Sequence, residues 1–227
     1  MTYAGAPKDI RILLVEDHQV LLDGTRPLLE AAPGLTVVGA TGHAPEAARL
    51  AKHLRPDVVL LDLFLAGESS GLDVARCLVR ADPHPAILVL TGVEDMEIAR
   101  AALQLGIRGY LYKTVRMAEL IAATKRVHAG DIVLDPKVEA ALAAPRARGR
   151  QAGLLTERQR TTMQLLGQGL SNAAIAERLV IAERTVEWHV EQLKQKLDLP
   201  SRAALIANAA RSEPGVGQAE RPAEHRQ

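Results

Sequence analysis

The sequence predicts an α/β fold, a doubly wound parallel sheet of five strands, followed by a smaller domain built only of helices. Three observations predict it. Short apolar runs alternate with helix-like stretches through the first 130 residues. Four of those runs stop on a chemically useful side chain: Asp17, Asp62, Thr91 and Lys113. From Leu155 onward the apolar spacing is helical throughout.

Ile10–Glu16 reads as a buried strand because it is a short apolar run bounded by polar residues. A helix near His18–Ala31 follows, then a strand at Thr36–Thr41 and a helix at Pro45–Leu54. The third strand, Asp57–Leu61, leads to a helix at Leu72–Arg80. The fourth, Ala86–Leu90, leads to Asp95–Leu105, and the fifth, Gly109–Tyr112, to Met117–Ala129. Five βα units in this order give a doubly wound sheet, assigned to residues 1–136.

Residues 137–153 carry Pro, Gly, Arg and small residues without amphipathic order and read as a linker. Thr156 is the expected N-cap of a helix reaching about Gly167, and Ser171 caps a second, Asn172–Leu179. A short turn around Val180–Ala182 leads to a third helix, Glu183–Leu197. Pro200 and Ser201 open the last, Arg202–Ala210. Residues 154–211 thus form the second domain, and 212–227, rich in Pro, Gly, Gln, Glu and Arg, read as a disordered tail.

Composition narrows the class. Aromatics make up 2% of the 227 residues, so both cores must be built from Leu, Val, Ile and Ala. Cys77 is the only cysteine, which excludes an internal disulfide and suits a reducing cytoplasm; the expected place for it is the buried face of a helix. The Met-Thr-Tyr-Ala start shows no signal peptide, and no apolar stretch nears the roughly 20 residues that span a bilayer. A cytoplasmic protein without membrane contact is expected. Residues 1–136 hold 14 Lys/Arg against 17 Asp/Glu, whereas 154–211 hold eight against six. An acidic first domain and a mildly basic second one suit a sensor joined to an anion-binding module.

In an open α/β sheet, ligands bind outside the carboxyl ends of the strands, so the four strand-end residues converge there. Glu16, Asp17 and Asp62 would bring three carboxylates together, and a cation is needed to offset their repulsion. Mg²⁺ suits an all-oxygen site, with Asp17 and Asp62 as direct ligands and Glu16 acting through water. Asp62, ending the central strand, is the best nucleophile for metal-assisted phosphoryl transfer. Lys113 would balance charge on the phosphoryl oxygens, and Thr91 would donate its hydroxyl to one of them.

These residues lie in LLVEDH, VVLLDLFL, ILVLTG and GYLYKT, and residues 10–130 resemble the receiver domain of two-component response regulators. The resemblance implies that Asp62 takes a phosphoryl group from a sensor histidine kinase. It also implies that Thr91 then moves toward it, that Tyr110 rotates inward, and that the Phe64 backbone carbonyl joins the Mg²⁺ site. Two positions depart from the family pattern: Ala66 stands where Pro is frequent after the acceptor, and Thr114 where Pro often follows the lysine. A cis bond before Thr114 would cost about 2.5–4 kcal/mol.

The stretch Leu155–Leu199 resembles the LuxR-type (NarL/FixJ) helix-turn-helix through Leu155-Thr156, Gly169-Leu170-Ser171-Asn172, Ile175-Ala176, Thr185-Val186, His189 and Lys196-Leu197. Glu183–Leu197 would be the recognition helix entering the major groove, and the last helix, with Ala203, Leu205, Ile206 and Ala209, often forms the dimer in that family. Val186, Val190, Leu193 and Leu197 follow helical spacing toward the core, which leaves Glu187, Trp188, Glu191, Gln192 and Gln195 toward DNA. Arg178, Arg184, Lys194, Lys196 and Arg202 remain for phosphates, with Thr185, Trp188 and Gln192 as further expected contacts. The family commonly has Lys where Glu187 stands, and two carboxylates on that surface oppose phosphate approach.

The leading reading is a response regulator, not an enzyme: phosphorylated on Asp62, it dimerises and binds double-stranded promoter DNA. The alternative is a phospho-dependent protein-interaction adapter whose helix-turn-helix has lost operator binding, supported by Glu187, Glu191 and Trp188. Hydrolases that phosphorylate an Asp need a second Asp two residues later; Phe64 stands there.

Overall fold

A computed structural model describes residues 8–65, 71–143 and 155–212. The expectations for Met1–Ala4, Ala66, the linker beyond Ala143 and the tail after Ser212 lie outside the described residues. The chain divides into two compact units, with the break between Arg146 and Ala147.

The first unit alternates β1 (Ile10–Val15), α1 (Gln19–Glu30), β2 (Leu35–Thr41), α2 (Ala44–Leu54), β3 (Val58–Leu61), α3 (Gly71–Leu78), β4 (Ala86–Thr91), α4 (Met96–Gln104), β5 (Gly109–Tyr112) and α5 (Met117–Ala129). Its strands are all parallel, in the order β2-β1-β3-β4-β5 with β6 (Val133–Leu134) added at the edge. The order reverses between β1 and β3, which is where a doubly wound sheet opens its crevice. All four residues of β3 are buried, as expected of a central strand covered on both faces. One core joins Ile12, Leu14, Leu60 and Leu88 to Leu29 of α1 and Leu120, Ala123 and Val127 of α5.

Two features differ from the sequence expectation. The sheet has a sixth strand, because Val133 and Leu134 pair with Gly109 and Tyr110 after α5 ends on Gly130 in the left-handed conformation (φ 102°). The stretch read as linker then begins with a helix, α6 (Pro136–Ala143), whose Val138 is fully buried and whose Ala141 carbonyl accepts from Arg100 of α4. Two strand residues and one buried valine are too short a signal for periodicity to register. Cys77 is exposed rather than buried, because the buried stripe of α3 is Leu72, Val74, Ala75 and Leu78.

The second unit packs α7 (Glu157–Gly167), α8 (Asn172–Leu179), α9 (Glu183–Leu197) and α10 (Arg202–Ser212) around Leu166, Ile175, Val186, Leu193 and Leu205. Thr156 and Gln159 form a reciprocal capping box at α7, and the Ser171 hydroxyl accepts from Ala174 N–H at α8. The α8–α9 turn is strained: Val180 is left-handed (φ 53°) and 88% exposed, a conformation costly for a β-branched residue. Leu205 and Ala209 of α10 face this core, so only Ala203 and Ile206 of the expected dimer face remain at the surface or partly so.

Candidate functional site

The parallel register makes the pocket. Val15 pairs with Leu61, Leu61 with Val89, and Thr91 with Tyr112, so the residues that follow these strand ends meet at one edge of the sheet. Lys113 reaches across it. Its Nζ lies 2.8 Å from Asp62 Oδ2 and 2.6 Å from Glu16 Oε2, and the Asp62 side chain is 1% exposed. The other Asp62 oxygen, Oδ1, accepts from Phe64 N–H at 3.1 Å. Thr91 is fully buried, with Oγ1 accepting from Val93 N–H at 3.2 Å and its carbonyl accepting from Lys113 N–H at 2.8 Å.

Glu16, Asp17, His18 and Asp62 each offer one ligand atom within 4.8 Å of the others. His18 and Gly71 were not expected here. His18 Nδ1 lies 2.8 Å from Glu16 Oε1 and 3.0 Å from Asp17 Oδ1. Gly71 supports the acceptor loop from behind: a Cβ there would fall 2.1 Å from the Asp62 carbonyl oxygen. Only the absence of a side chain permits that approach. Sequence offered no signal for His18 beyond its place after Glu16 and Asp17, and none separating Gly71 from its neighbours. Three carboxylates and the nearby Phe64 backbone make a hard, oxygen-rich donor set that fits a small divalent cation, and Lys113 shares the same oxygens.

Tyr110 is fully buried with its hydroxyl lacking a hydrogen-bond partner among the described residues, and it meets Tyr112 edge-on at 6.0 Å. Burial pushes the Tyr110 phenol well above the ordinary tyrosine range. Burial, reinforced by Asp135, Glu94 and Asp95, pushes Tyr112 up to about 12. Lys137 of α6 pairs with Glu94 at 2.5 Å and lies 5.8 Å from the centre of the Tyr112 ring. The Lys113–Thr114 bond is trans, so Thr114 carries no cis penalty.

In the second unit, α9 buries a broad stripe of Thr185, Val186, His189, Val190 and Leu193. Thr185 is therefore not a DNA contact: its side chain is fully buried beside Val186. Arg202 is committed within the fold, donating to Asn172 and, at 2.7 Å, to the Leu170 carbonyl. Lys196 donates to Gln159 at 3.2 Å, and Lys194 pairs with Glu191 at 2.5 Å. That pairing neutralises one of the two carboxylates on which the adapter alternative rested. Arg178 is exposed, Arg184 and Gln192 are half-buried, and Trp188 is half-buried with its indole N–H buried and, among the described residues, unpartnered.

Comparison with known proteins covers both units. The family model described as the response regulator receiver domain matches residues 12–125. That described as bacterial regulatory proteins, luxR family, matches 153–209. The chain is 38% identical to the DNA-binding transcriptional activator DevR/DosR of Mycobacterium tuberculosis over 205 residues, covering 87% of this chain and 94% of that one. It is 37% identical to the nitrate/nitrite response regulator protein NarL of Escherichia coli over 196 residues, 84% and 90% of the two chains. The two-component response regulator RcsB, solved as a DNA complex, shares the fold at TM-score 0.58 and 22% identity, over 91% of this chain and 100% of that one. Among the described residues no helix is long and apolar enough to cross a membrane.

Proposed function

Because this chain belongs to the two-component response regulators that join a receiver to a LuxR-type DNA-binding domain, we propose that Asp62 is its phospho-acceptor and α9 its DNA-reading helix. The family is one of transcription regulators, not enzymes. A carboxylate oxygen of Asp62 attacks the phosphorus of a kinase phosphohistidine. The P–N bond breaks, the imidazole leaves, and an acyl phosphate remains on Asp62. Asp17, Asp62 and the Phe64 carbonyl, with Glu16 acting through water, would hold Mg²⁺, which when bound would neutralise charge on the transferred group. Lys113 exchanges its contact with Asp62 Oδ2 for the new phosphoryl oxygens. Thr91 donates to one of them, and the resulting shift is read through Tyr110.

The observation that carries this reading is the Lys113 ammonium held between Asp62 and Glu16 at the sheet's crevice. The phosphorylated protein acts in the cytoplasm as a homodimer on double-stranded DNA, with Arg178, Arg184, Gln192, Trp188 and Lys194 as the surface contacts. Intact-mass measurement with a small-molecule phosphoryl donor and Mg²⁺ tests the acceptor. The parent should gain one phosphoryl group and Asp62→Asn none; an adduct persisting on the variant would refute the assignment.

A further inference from the structure

We propose that Glu187 makes the recognition helix select a cytosine in each half-site. The inference rests on α9 being the DNA-reading helix and goes on to name a base that it reads.

The exposed face of α9 is unusual in its charge. Of its three carboxylates, Glu183 lies in the first turn, where a helix N-terminus favours an anion, and Glu191 is met within the helix by Lys194 Nζ at 2.5 Å and by Gln195 Nε2 at 3.3 Å. Glu187, one turn earlier and exposed, has no hydrogen bond or ion pair among the described residues. A carboxylate lowered toward duplex DNA meets phosphate repulsion everywhere except at a base-edge donor.

The major groove offers two amino donors, cytosine N4 and adenine N6. The adenine N6 amino group stands beside N7, an acceptor whose lone pair repels the second carboxylate oxygen. Cytosine N4 stands beside the apolar C5 edge, which repels nothing. The carboxylate therefore favours cytosine. Its neighbour matches that choice. Trp188 turns its indole N–H into the fold, so the part of the ring left at the surface is apolar and suits a pyrimidine C5 edge rather than a polar group.

The chemistry also gives the opposite substitution a sign. An amide at this position presents a donor and an acceptor together, the pattern that pairs with adenine N6 and N7. Glu187→Gln should therefore move the preference from cytosine to adenine, and Glu187→Ala should erase it at that position only.

The test is selection of bound duplexes from a random-sequence library by the full-length protein with Mg²⁺ and a phosphoryl donor. Parent, Glu187→Ala and Glu187→Gln are compared. The parent motif should hold one cytosine per half-site whose replacement weakens binding about 5- to 100-fold. Trp188 fluorescence melts establish that each variant is folded. A parent motif without a cytosine overturns the inference, as does a Glu187→Ala motif identical to the parent's or a Glu187→Gln motif that keeps cytosine. Those three results leave DNA reading by α9 standing. If the parent enriches no duplex at low or moderate salt, DNA reading itself falls, and the cytosine with it.

Discussion

Lys113→Ala should destabilise the first unit in a way that Mg²⁺ repairs. In the parent, the ammonium lies 2.6 Å from Glu16 and 2.8 Å from Asp62. At those distances each contact is worth about 6 kcal/mol of Coulomb attraction at an effective dielectric near 20. The cost of removing three charges from water offsets much of this, and breaking a buried pair typically costs ~3–5 kcal/mol. Lys113 keeps 16% of its side chain exposed, which places the expected loss near the bottom of that range, about 3 kcal/mol. A divalent cation on the same oxygens restores the missing charge. Mg²⁺ at a hundredfold over its dissociation constant adds about 2.7 kcal/mol, so the variant should nearly regain the stability of the chelated parent, while the parent, whose Lys113 already neutralises those oxygens, should gain less and the gap should narrow. Asp17→Asn runs the other way. It removes one charge from the crowded acids, so the chelated variant should gain about 1 kcal/mol and respond little to Mg²⁺. Urea-dependent hydrogen exchange read by mass spectrometry resolves β1, β3 and β5 from α7–α10, which serve as the internal control. A Lys113→Ala loss under about 1 kcal/mol in chelator, or a gap that Mg²⁺ fails to narrow, would refute the reasoning.

Further outcomes follow from single positions. Gly71→Ala puts a Cβ 2.1 Å from the Asp62 carbonyl oxygen and 2.5 Å from Leu63 Cα, both backbone. It should cost ~3 kcal/mol or more in the first unit and slow phosphorylation, read by melting and intact mass. Val180→Gly releases left-handed strain of ~1–2 kcal/mol against a glycine entropy cost of ~0.5–1. The second unit should melt a few degrees higher by Trp188 fluorescence; a lower melting temperature would show the turn is not strained. Tyr112 stays protonated in the fold up to about 12, above the ordinary value near 10, so its raised pKa stabilises the first unit fully below pH 10. That stability, at most ~3 kcal/mol, drains away as pH rises through 12, and Tyr112→Phe should flatten the loss in alkaline melts.

The sequence made the pocket legible because each of its main residues ends its own apolar run, and parallel strands align their ends. Asp62 and Lys113 stand 51 positions apart in the chain yet meet at 2.8 Å, a proximity that topology alone predicts. Thr185 was misplaced for a different reason. A narrow seam of Val186, Val190, Leu193 and Leu197 leaves Thr185 outside it, but a core-facing helix buries a stripe wider than 100°, which takes in Thr185 and His189 as well. Arg202 illustrates a third limit. Its charge is plain in the sequence, but its hydrogen bonds to Leu170 and Asn172 depend on how the start of α8 packs against α10. Gly71 was invisible because its role is a distance to another segment's backbone, which no local pattern encodes.

The β6–α6 extension sets where the chain leaves the receiver: beside α4, on the edge that also carries Thr91 and Tyr110. Its attachment consists of Val138, the Asp135 N–H on the Tyr110 carbonyl, the Arg100 bond to Ala141, and the Lys137–Glu94 pair. Burying one valine contributes ~1.5–3 kcal/mol, the exposed ion pair ~0–1, and each hydrogen bond about 1. Together these come to roughly 4–6 kcal/mol before the entropy of ordering the segment is subtracted, which brings the latch toward the ~1–3 kcal/mol by which an effector typically couples two sites. A latch far stronger would stay shut in both signalling states, and one far weaker would be open in both. At this strength, a perturbation of a few kcal/mol is enough to release α6 from its place beside α4.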